Sequence, residues 1–448
     1  MRDAGLRQVP FAATCFVRAV ADNQPGENKN RMGCTTTLSG FGARLRGFID
    51  FCAKDWEGTA GKDARLTRGQ DACATPEADF NALALELFGL QYEHNAPYRK
   101  FCEARGARPG IIEDWRGIPA IPTVGFKEFD LSCLPVAERT AVFHSSGTTG
   151  QSQSRHFHNA ESLAIYEASL SVWFAANLFG DKLKLELQTE KPGLGVQALA
   201  CSPGRPIRSR MISLTPPSHL APHSSLVHMF ETLQRELGSA DSIFLGGIAK
   251  DGAWTLDLEA AVDALRIGAQ DGHTLMLLGT AFSFVHLLDY LEAQKLNFEL
   301  PSGSIALETG GYKSRSRTLP RTELHSLISR RLGISPANII CEYGMSELSS
   351  QAYDRVFPGT RNTQYGTRNF RFPPWCRVQI ISPETGLEVS EGETGLIRIF
   401  DLANVYSVMA IQTEDLGVRR GDHFELIGRA ELAEPRGCSL MAVESFGR

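Results

Sequence analysis

The sequence predicts an α/β protein built on a sheet with parallel strands. Short apolar runs, at residues 275–278, 305–307 and 339–341, end in polar or glycine turns that lead towards helical patterns. Strands that alternate with helices in this way form parallel sheets. The clearest helical patterns span residues 160–179, 258–267, 282–291 and 319–332. Ligands of such sheets collect at the carboxyl ends of the strands, where the polar turns of this chain lie.

The composition is that of a folded globular protein. Of the 448 residues, 42% are apolar and 22% are charged, with a formal net charge of −5. This balance argues against a dedicated nucleic-acid-binding protein, because phosphate binding usually requires a basic surface. No run of about 18 apolar residues occurs, so we expect no membrane span. The ten cysteines are scattered without a CxxC pair, which predicts reduced thiols and a cytoplasmic location.

The chain divides into three predicted parts. Residues 1–40 have mixed composition and are expected to form a poorly ordered N-terminal extension. Residues 41–375 carry the repeated strand and helix patterns and form the predicted α/β core. In residues 376–448, strand patterns surround a turn rich in Pro, Gly and Glu at 383–395. This last part is predicted to form a smaller β-rich subdomain and a short C-terminal segment.

The strongest motif is a hydroxyl-rich glycine loop that follows the apolar run at residues 141–143. Hydroxyls and backbone N–H groups in such a loop can surround phosphate oxygens. The loop lacks the GK[ST] ending of a Walker A motif, and a plain polar surface loop is the alternative interpretation. Its members are Ser145, Ser146, Gly147, Thr148, Thr149 and Gly150.

Three further motifs lie at or after predicted strand ends. Residues 342–347 place carboxylates beside an aromatic ring and a hydroxyl, a set that could hold Mg²⁺ near phosphates. Two glycines at 310 and 311 permit close approach of a flat ligand, and Tyr312 offers a stacking face. The carboxylate of Asp415 could accept hydrogen bonds from both hydroxyls of a ribose. The glycine motif and the Asp415 motif are weak alone, and for residues 342–347 a polar turn after a buried strand is the alternative.

Together and in this order, the motifs resemble those of the adenylate-forming superfamily of acyl- and aryl-CoA ligases. The closer resemblance is to the acyl-protein synthetase (LuxE-type) branch, over about residues 75–448. It is carried by SSGTTG, TGGYKSRSR, YGMSELSSQAYD and the late Arg436-Gly437-Cys438. The resemblance implies the fold of the N-terminal domain of adenylate-forming enzymes, with parallel sheets, a smaller β-rich subdomain and a short C-terminal tail.

The resemblance also implies roles for single residues. The glycine loop would hold the phosphates of ATP, and Gly310, Gly311 and Tyr312 would line the adenine. Ser346 would lie near the phosphates and Glu347 would bind Mg²⁺. Asp415 would bind the ribose hydroxyls, with Arg429 as a second contact. Arg155 follows the loop where CoA ligases commonly have Pro-Lys, and it could supply the missing charge. The nearby His144, His156 and His158 are interpreted chiefly as structural residues.

The C-terminal part departs from the CoA ligases, which carry a mobile domain with a catalytic lysine. The sequence ends soon after Asp415 and contains no lysine after Lys313. The resemblance makes Cys438 the acyl acceptor, and a thiolate beside Arg436 has the nucleophilicity that this role needs. A buried apolar cysteine is the alternative.

These observations predict an ATP- and Mg²⁺-dependent acyl-protein synthetase. It would convert a carboxylic acid, expected to be a fatty acid, into acyl-AMP and then acylate its own Cys438. Ser346 and Glu347 would complete the catalytic set. An acyl reductase partner would then take the acyl group and make an aldehyde. Two alternatives stay open: an acyl- or aryl-CoA ligase that uses free CoA, and a non-catalytic nucleotide- or acyl-binding scaffold.

Overall fold

A computed structural model describes residues 36–58, 77–145, 152–178, 209–310, 319–356 and 368–430. Within these ranges the helices are α1 (Leu38–Gly58), α2 (Glu77–His94), α3 (Ala96–Glu103), α4 (Gly125–Glu128), α5 (Ala160–Leu178), α6 (Ser225–Leu237), α7 (Leu258–Asp271), α8 (Ala281–Ala293) and α9 (Arg321–Leu332). The strands of the first half are β1 (Ile121–Pro122), β2 (Ala141–His144), β3 (Arg155–His158), β4 (Arg210–Ser213), β5 (Ile243–Phe244), β6 (Gly246–Ile248), β7 (Trp254–Leu256) and β8 (Leu275–Thr280). Those of the second half are β9 (Ile305–Thr309), β10 (Ile339–Tyr343), β11 (Ala352–Val356), β12 (Arg368–Arg371), β13 (Cys376–Ile381), β14 (Thr394–Asp401), β15 (Ala410–Arg420) and β16 (His423–Arg429).

One twelve-stranded sheet organises the described chain. Its order is β13-β14-β15-β16-β12-β11-β10-β9-β8-β4-β5, and β1 pairs in parallel with β15. Strands β5, β4, β8, β9 and β10 are parallel, whereas the pairs from β10 to β13 are antiparallel. The predicted α/β class with parallel strands is therefore confirmed, and the sheet continues into an antiparallel half.

The parallel half is stabilised by burial of nearly all its side chains. Strand β8 reads LMLLGT, β9 reads IALET and β10 reads IICEY, and almost every residue in them is buried. Such continuous apolar runs are typical of parallel strands covered on both faces. The register places Thr280 opposite Thr309, and Thr309 opposite Glu342. The polar residues that end three successive strands therefore lie side by side.

Aromatic packing joins the two halves of the sheet. The rings of Phe370 and Phe424 stack with centroids 5.5 Å apart, and Phe372 stacks on Phe424 at 6.0 Å. The Tyr343 ring meets Phe424 edge to face at 5.5 Å. Aromatic pairs at such separations contribute beyond their buried area. The end of β10 is thereby held against β12 and β16.

The structure describes five of the cysteines, which the sequence analysis expects to be reduced. Cys102, Cys133, Cys341 and Cys376 are free and buried, but Cys52 is disulfide-bonded. The expectation that all the cysteines are reduced is therefore wrong at Cys52. Residues 1–35 of the predicted N-terminal extension lie outside the described ranges. Among the described helices, none combines the length and the apolar character that crossing a membrane would require.

A buried ion pair stabilises the junction between the parallel and antiparallel strands. Asp354 on β11 is buried, and its two carboxylate oxygens each lie 3.1 Å from Arg368 Nη1 on β12. The same carboxylate accepts a hydrogen bond from the backbone N–H of Cys341 on β10, at 2.7 Å. Asp354 therefore links three adjacent strands.

We expect Asp354→Ala to destabilise the protein by about 3 kcal/mol or more, because it leaves the Arg368 charge buried without a carboxylate. Urea unfolding followed by circular dichroism measures the effect as a lower midpoint. Asp263→Ala, which removes an exposed pair with Arg266 on α7, should cost less than about 1 kcal/mol. Equal losses in the two variants would contradict this assignment.

Candidate functional site

The structure describes six of the predicted site residues. They are Ser145, Gly310, Ser346, Glu347, Asp415 and Arg429. The other predicted site residues lie outside the described ranges: Ser146, Gly147, Thr148, Thr149, Gly150, Gly311, Tyr312 and Cys438.

The two ends of the predicted phosphate loop are fastened to each other. Strands β2 and β3 form an antiparallel pair in which His144 faces Arg155. The Ser145 backbone N–H donates to the Ser154 carbonyl at 3.3 Å, and the Ser154 N–H donates to Ser145 Oγ at 3.0 Å. The Ser154 hydroxyl oxygen lies 3.4 Å from that of Ser346. The base of the glycine loop therefore contacts the motif that follows β10.

Ser346 and Glu347 lie in the loop of residues 344–351, which connects β10 to β11. Both side chains are buried, and the Ser346 hydroxyl donates to Glu347 Oε2 at 3.0 Å. The carbonyl of Ser346 lies 2.9 Å from His156 Nδ1 on β3. Since a carbonyl only accepts, this ring nitrogen carries the proton. His156 on β3 therefore holds the backbone that carries the Ser346 hydroxyl and the Glu347 carboxylate.

A second loop, residues 401–409, holds the 344–351 loop from the opposite side. The buried Asp401 carboxylate accepts from the Ser349 N–H at 2.9 Å, the Ser350 hydroxyl at 2.7 Å and the Ala403 N–H at 3.0 Å. The Asn404 side-chain amide donates to the Glu347 carbonyl at 2.8 Å. We call these contacts between the two loops the loop clasp.

The loop clasp is buried and extends to the helical layer. The Ser350 and Ser169 hydroxyls are 3.0 Å apart, and the Trp375 indole N–H donates to Ser169 Oγ at 2.9 Å. Burial raises the pKa of Asp401 to about 6, although its hydrogen bonds favour the ionised form. Helix α5, Trp375 just before β13 and the 401–409 loop therefore hold the backbone that carries Glu347.

Asp415 is oriented by two partners near the end of β10. The Tyr343 hydroxyl donates to Asp415 Oδ2 at 2.9 Å. Arg429 faces Asp415 across the β15–β16 pair, and its Nε lies 3.9 Å from Asp415 Oδ1. Burial raises the pKa of Asp415, while the hydrogen bond from Tyr343 and the charge of Arg429 oppose this shift. One carboxylate oxygen is therefore already engaged by the tyrosine of the preceding motif.

Gly310 lies directly after β9, beside the end of β10. Its φ of 69° is in the left-handed region, which glycine adopts without steric cost. The preceding Thr309 donates through its hydroxyl to Glu342 Oε2. The glycine motif, the carboxylate motif and the Asp415 motif are consequently neighbours at one edge of the sheet.

Glu342 is a buried carboxyl at the centre of this edge. Its Oε1 occupies the space that a Cβ at position 344 would need. A glycine at this position therefore avoids a steric clash with the Glu342 carboxyl. Burial raises the pKa of Glu342 to about 7, against the opposing effect of the hydrogen bond from Thr309. This group therefore titrates close to neutral pH.

Two of the three histidines beside the glycine loop, His156 and His158, are neutral and buried in the core, whereas His144 is half-buried. Burial lowers the pKa of His156 to about 4 and that of His158 well below its usual range. Their ring centroids are 4.2 Å apart, and His158 Nδ1 lies 3.1 Å from Ser162 Oγ. Arg155 lies 3.0 Å from Asp130, so an acidic residue partly neutralises the charge that the sequence analysis considered for phosphate binding.

Several positioning residues were not predicted from sequence. Ser154 and Asn404 contact Ser346 and Glu347, and Asp401 holds the neighbouring Ser349 and Ser350. None of the three positioning residues lies in a recognised motif. Asp401 ends an apolar strand pattern, which is the signal that gave the other strand-end motifs. The contacts of Ser154 and Asn404 carry no comparable sequence signal.

The chain is similar in sequence to a known protein family and to two curated ligases. The family profile described as "Acyl-protein synthetase, LuxE" matches residues 239–447. A long-chain-fatty-acid–luciferin-component ligase of Vibrio harveyi is 23% identical over 80% of this chain and 86% of its own length. The protein of the same name from Aliivibrio fischeri is 24% identical, again over 80% of this chain and 86% of its own length.

Solved structures share the fold. The 2-hydroxyisobutyryl-CoA ligase in its open conformation superposes with a TM-score of 0.53 at 13% identity, over 80% of this chain and 71% of that chain. The same enzyme in its postadenylation state superposes with a TM-score of 0.54 at 13% identity, over 84% of this chain and 75% of that chain. Together the comparisons confirm the predicted resemblance to LuxE-type acyl-protein synthetases and the predicted fold. The names of both relatives agree with the predicted enzyme class, an acid–thiol ligase.

Glu342 gives the site a testable pH dependence. Its pKa rises from a usual value of 4.5 to about 7 on folding, so the folded protein retains a proton that the unfolded chain loses between these pH values. This contribution to stability is therefore present below about pH 4.5 and is lost as the pH rises through 7.

We expect Glu342→Gln to be as stable as the wild type at pH 4.5 and more stable by as much as about 3 kcal/mol at pH 8. Urea unfolding across this range measures the difference between the two proteins. The exposed Glu323→Gln on α9 serves as the control, with a small difference at every pH. A stability difference for Glu342→Gln that does not vary with pH would show that this carboxyl is not shifted.

Proposed function

We propose that this LuxE-type chain uses ATP to activate a carboxylic acid of the long-chain fatty acid class and then transfers the acyl group to Cys438. One observation carries the proposal: described residues of four separate ATP-motif segments meet at one edge of the sheet. Ser145, Gly310, Ser346 and Asp415 come from segments far apart in sequence. Their assembly supports a single nucleotide site.

The acid class is supported by the curated relatives. Both are named long-chain-fatty-acid ligases, and both align over 80% of this chain. The fold is also that of an enzyme that makes acyl-CoA from a small acid, so the fold alone does not select a chain length. The fatty acid assignment therefore rests on the relatives and on the motifs shared with them.

In the first step, a carboxylate oxygen of the acid attacks the α-phosphorus of ATP. A new phosphorus–oxygen bond forms, the bond to the bridging oxygen breaks, and pyrophosphate leaves with its electron pair. Ser145 and the rest of the glycine loop would bind the phosphates, and the Ser346 hydroxyl would face them. Asp415 would accept hydrogen bonds from the ribose hydroxyls, with Tyr343 holding its carboxylate in place. Fixed donors of this kind stabilise charge that develops on the phosphates.

Glu347 and Ser346 fit a magnesium ion bound together with substrate. Among the described residues no group of three His, Cys, Asp or Glu side chains could hold a metal ion. Mg²⁺ commonly needs only one or two protein carboxylates when phosphate oxygens supply further ligands. The buried Glu347 carboxylate beside the Ser346 hydroxyl satisfies that requirement. The bound ion would neutralise charge on the phosphates.

In the second step, the thiolate of Cys438 attacks the acyl carbonyl carbon of acyl-AMP. The carbon–sulfur bond forms, the bond from the carbonyl carbon to the phosphate oxygen breaks, and AMP leaves. The thiol proton passes to solvent. The thioester would then deliver its acyl group to an acyl reductase partner, which makes an aldehyde. Cys438 lies outside the described residues, so sequence resemblance supports this step.

A labelling experiment tests the proposal. The full chain is incubated with Mg-ATP and radiolabelled fatty acids of several lengths, without CoA, and separated on a denaturing gel. We expect a hydroxylamine-sensitive protein band that Cys438→Ser abolishes. The control is Cys133→Ser, because burial raises the pKa of that thiol to about 12 and keeps it protonated. This control should label as the wild type does.

Three other outcomes would each contradict part of the proposal. A band that persists in Cys438→Ser would move the acceptor to a different thiol. A soluble thioester that appears only when CoA is added, without a protein band, would make the chain a CoA ligase. Binding of ATP without acid-dependent release of pyrophosphate would favour a non-catalytic scaffold.

A further inference from the structure

A polar cleft lies in the part of the fold where α3 faces the antiparallel half of the sheet. It is a cleft of about 310 Å³ between the turn that follows α3 and strand β14. Three arginines line it, Arg105, Arg116 and Arg398, together with the buried apolar residues Ala107 and Ile118. None of the candidate-site residues that the structure describes lines this cleft.

Only one of the three arginines is neutralised by carboxylates. Arg116 pairs with Glu77 and lies 3.1 Å from Asp114. Arg105 and Arg398 have no carboxylate within ion-pair distance among the residues that the structure describes. Two of the arginines that line the cleft are therefore not directly paired with a carboxylate.

The two unpaired guanidinium groups are nonetheless held in fixed positions. Arg398 Nε donates to Gln412 Oε1 at 2.8 Å, across the β14–β15 pair. The Arg105 guanidinium lies 3.6 Å from the centroid of the Phe101 ring, and its Nη1 donates to the Phe101 carbonyl at 3.3 Å. A guanidinium has further N–H donors beyond these. Both arginines therefore have donors left for another partner.

Partial burial makes an unpaired guanidinium energetically unfavourable. Arg398 is half-buried, and burial lowers the pKa of its guanidinium, while the charge of Glu388 opposes this shift. A partly desolvated guanidinium with no carboxylate at ion-pair distance costs free energy, which a bound anion would recover. Arginine is well suited to phosphate because its planar group can donate two parallel hydrogen bonds. A volume of about 310 Å³ lies at the small end of the range for ligand pockets.

We propose that this cleft binds a small organic anion that bears a phosphate group. The phosphate would lie between Arg105 and Arg398, and the apolar part of the ligand would contact Ala107 and Ile118. A phosphate dianion neutralises both arginines at once, whereas a single carboxylate neutralises one. Gln412, which holds Arg398, lies on the same strand as Asp415, so the occupied cleft would adjoin the strand that carries this residue.

Inorganic phosphate is the probe for the test, with the full-length protein and isothermal titration calorimetry at constant ionic strength. We expect Arg398→Gln and Arg105→Gln each to weaken phosphate binding at one site by about tenfold or more, the effect of losing a charge-assisted hydrogen bond. Arg108→Gln is the matched control, because Arg108 is exposed and does not line the cleft. It should bind phosphate as the wild type does.

Thermal unfolding without phosphate checks that the variants fold. The contacts that the described residues give the Arg105 side chain are with Phe101, outside the sheet. Arg105→Gln therefore keeps the test valid if Arg398→Gln proves unstable. Equal phosphate affinity in the wild type and in both variants would overturn the proposal. So would tighter binding of a poly-glutamate peptide than of phosphate, because the cleft would then take an acidic protein segment.

Discussion

The loop clasp is the constraint on which the candidate site depends. The 344–351 loop carries a hydroxyl and a carboxylate that need a fixed backbone, yet it contains few apolar side chains that could anchor it. Asp401 supplies that anchor, because its buried carboxylate accepts from the Ser349 N–H, the Ser350 hydroxyl and the Ala403 N–H. Asn404 adds a bond to the Glu347 carbonyl. The clasp thus joins the parallel half of the sheet to the loop after β14.

Strand register then brings the remaining groups to the clasp. Parallel strands β8, β9 and β10 end at the same level, so Thr309, Glu342 and Tyr343 lie at one edge. The antiparallel half returns β15 to this edge, where Asp415 meets the Tyr343 hydroxyl. In our account the parallel half supplies the groups that would face adenine and phosphates, and the antiparallel half supplies the ribose ligand. A single sheet therefore orients both ends of the proposed nucleotide site.

The sequence predicted the local features of this arrangement and missed the distant ones. Strands β8 to β10 were predictable because burial on both faces demands continuous apolar runs, and α5 and α8 because their apolar residues recur at helical spacing. The contacts Ser154–Ser346 and Ser350–Asp401 join residues 192 and 51 positions apart. Periodicity and motif spacing carry no information about such pairs. The sequence likewise did not predict that the parallel sheet continues through β11 and β12, because the choice of strand partners depends on tertiary packing.

Acid-dependent exchange of radiolabelled pyrophosphate into ATP, measured without CoA, tests the central claim most directly. That claim is that ATP activates the acid at the edge of the sheet where Asp415 and Tyr343 meet. We predict exchange in the wild type that depends on a fatty acid. Asp415→Asn should lower its kcat/KM by about tenfold or more, while the exposed Asp422→Asn should leave the rate unchanged. Absence of exchange in the wild type, or full exchange in Asp415→Asn, would contradict the account.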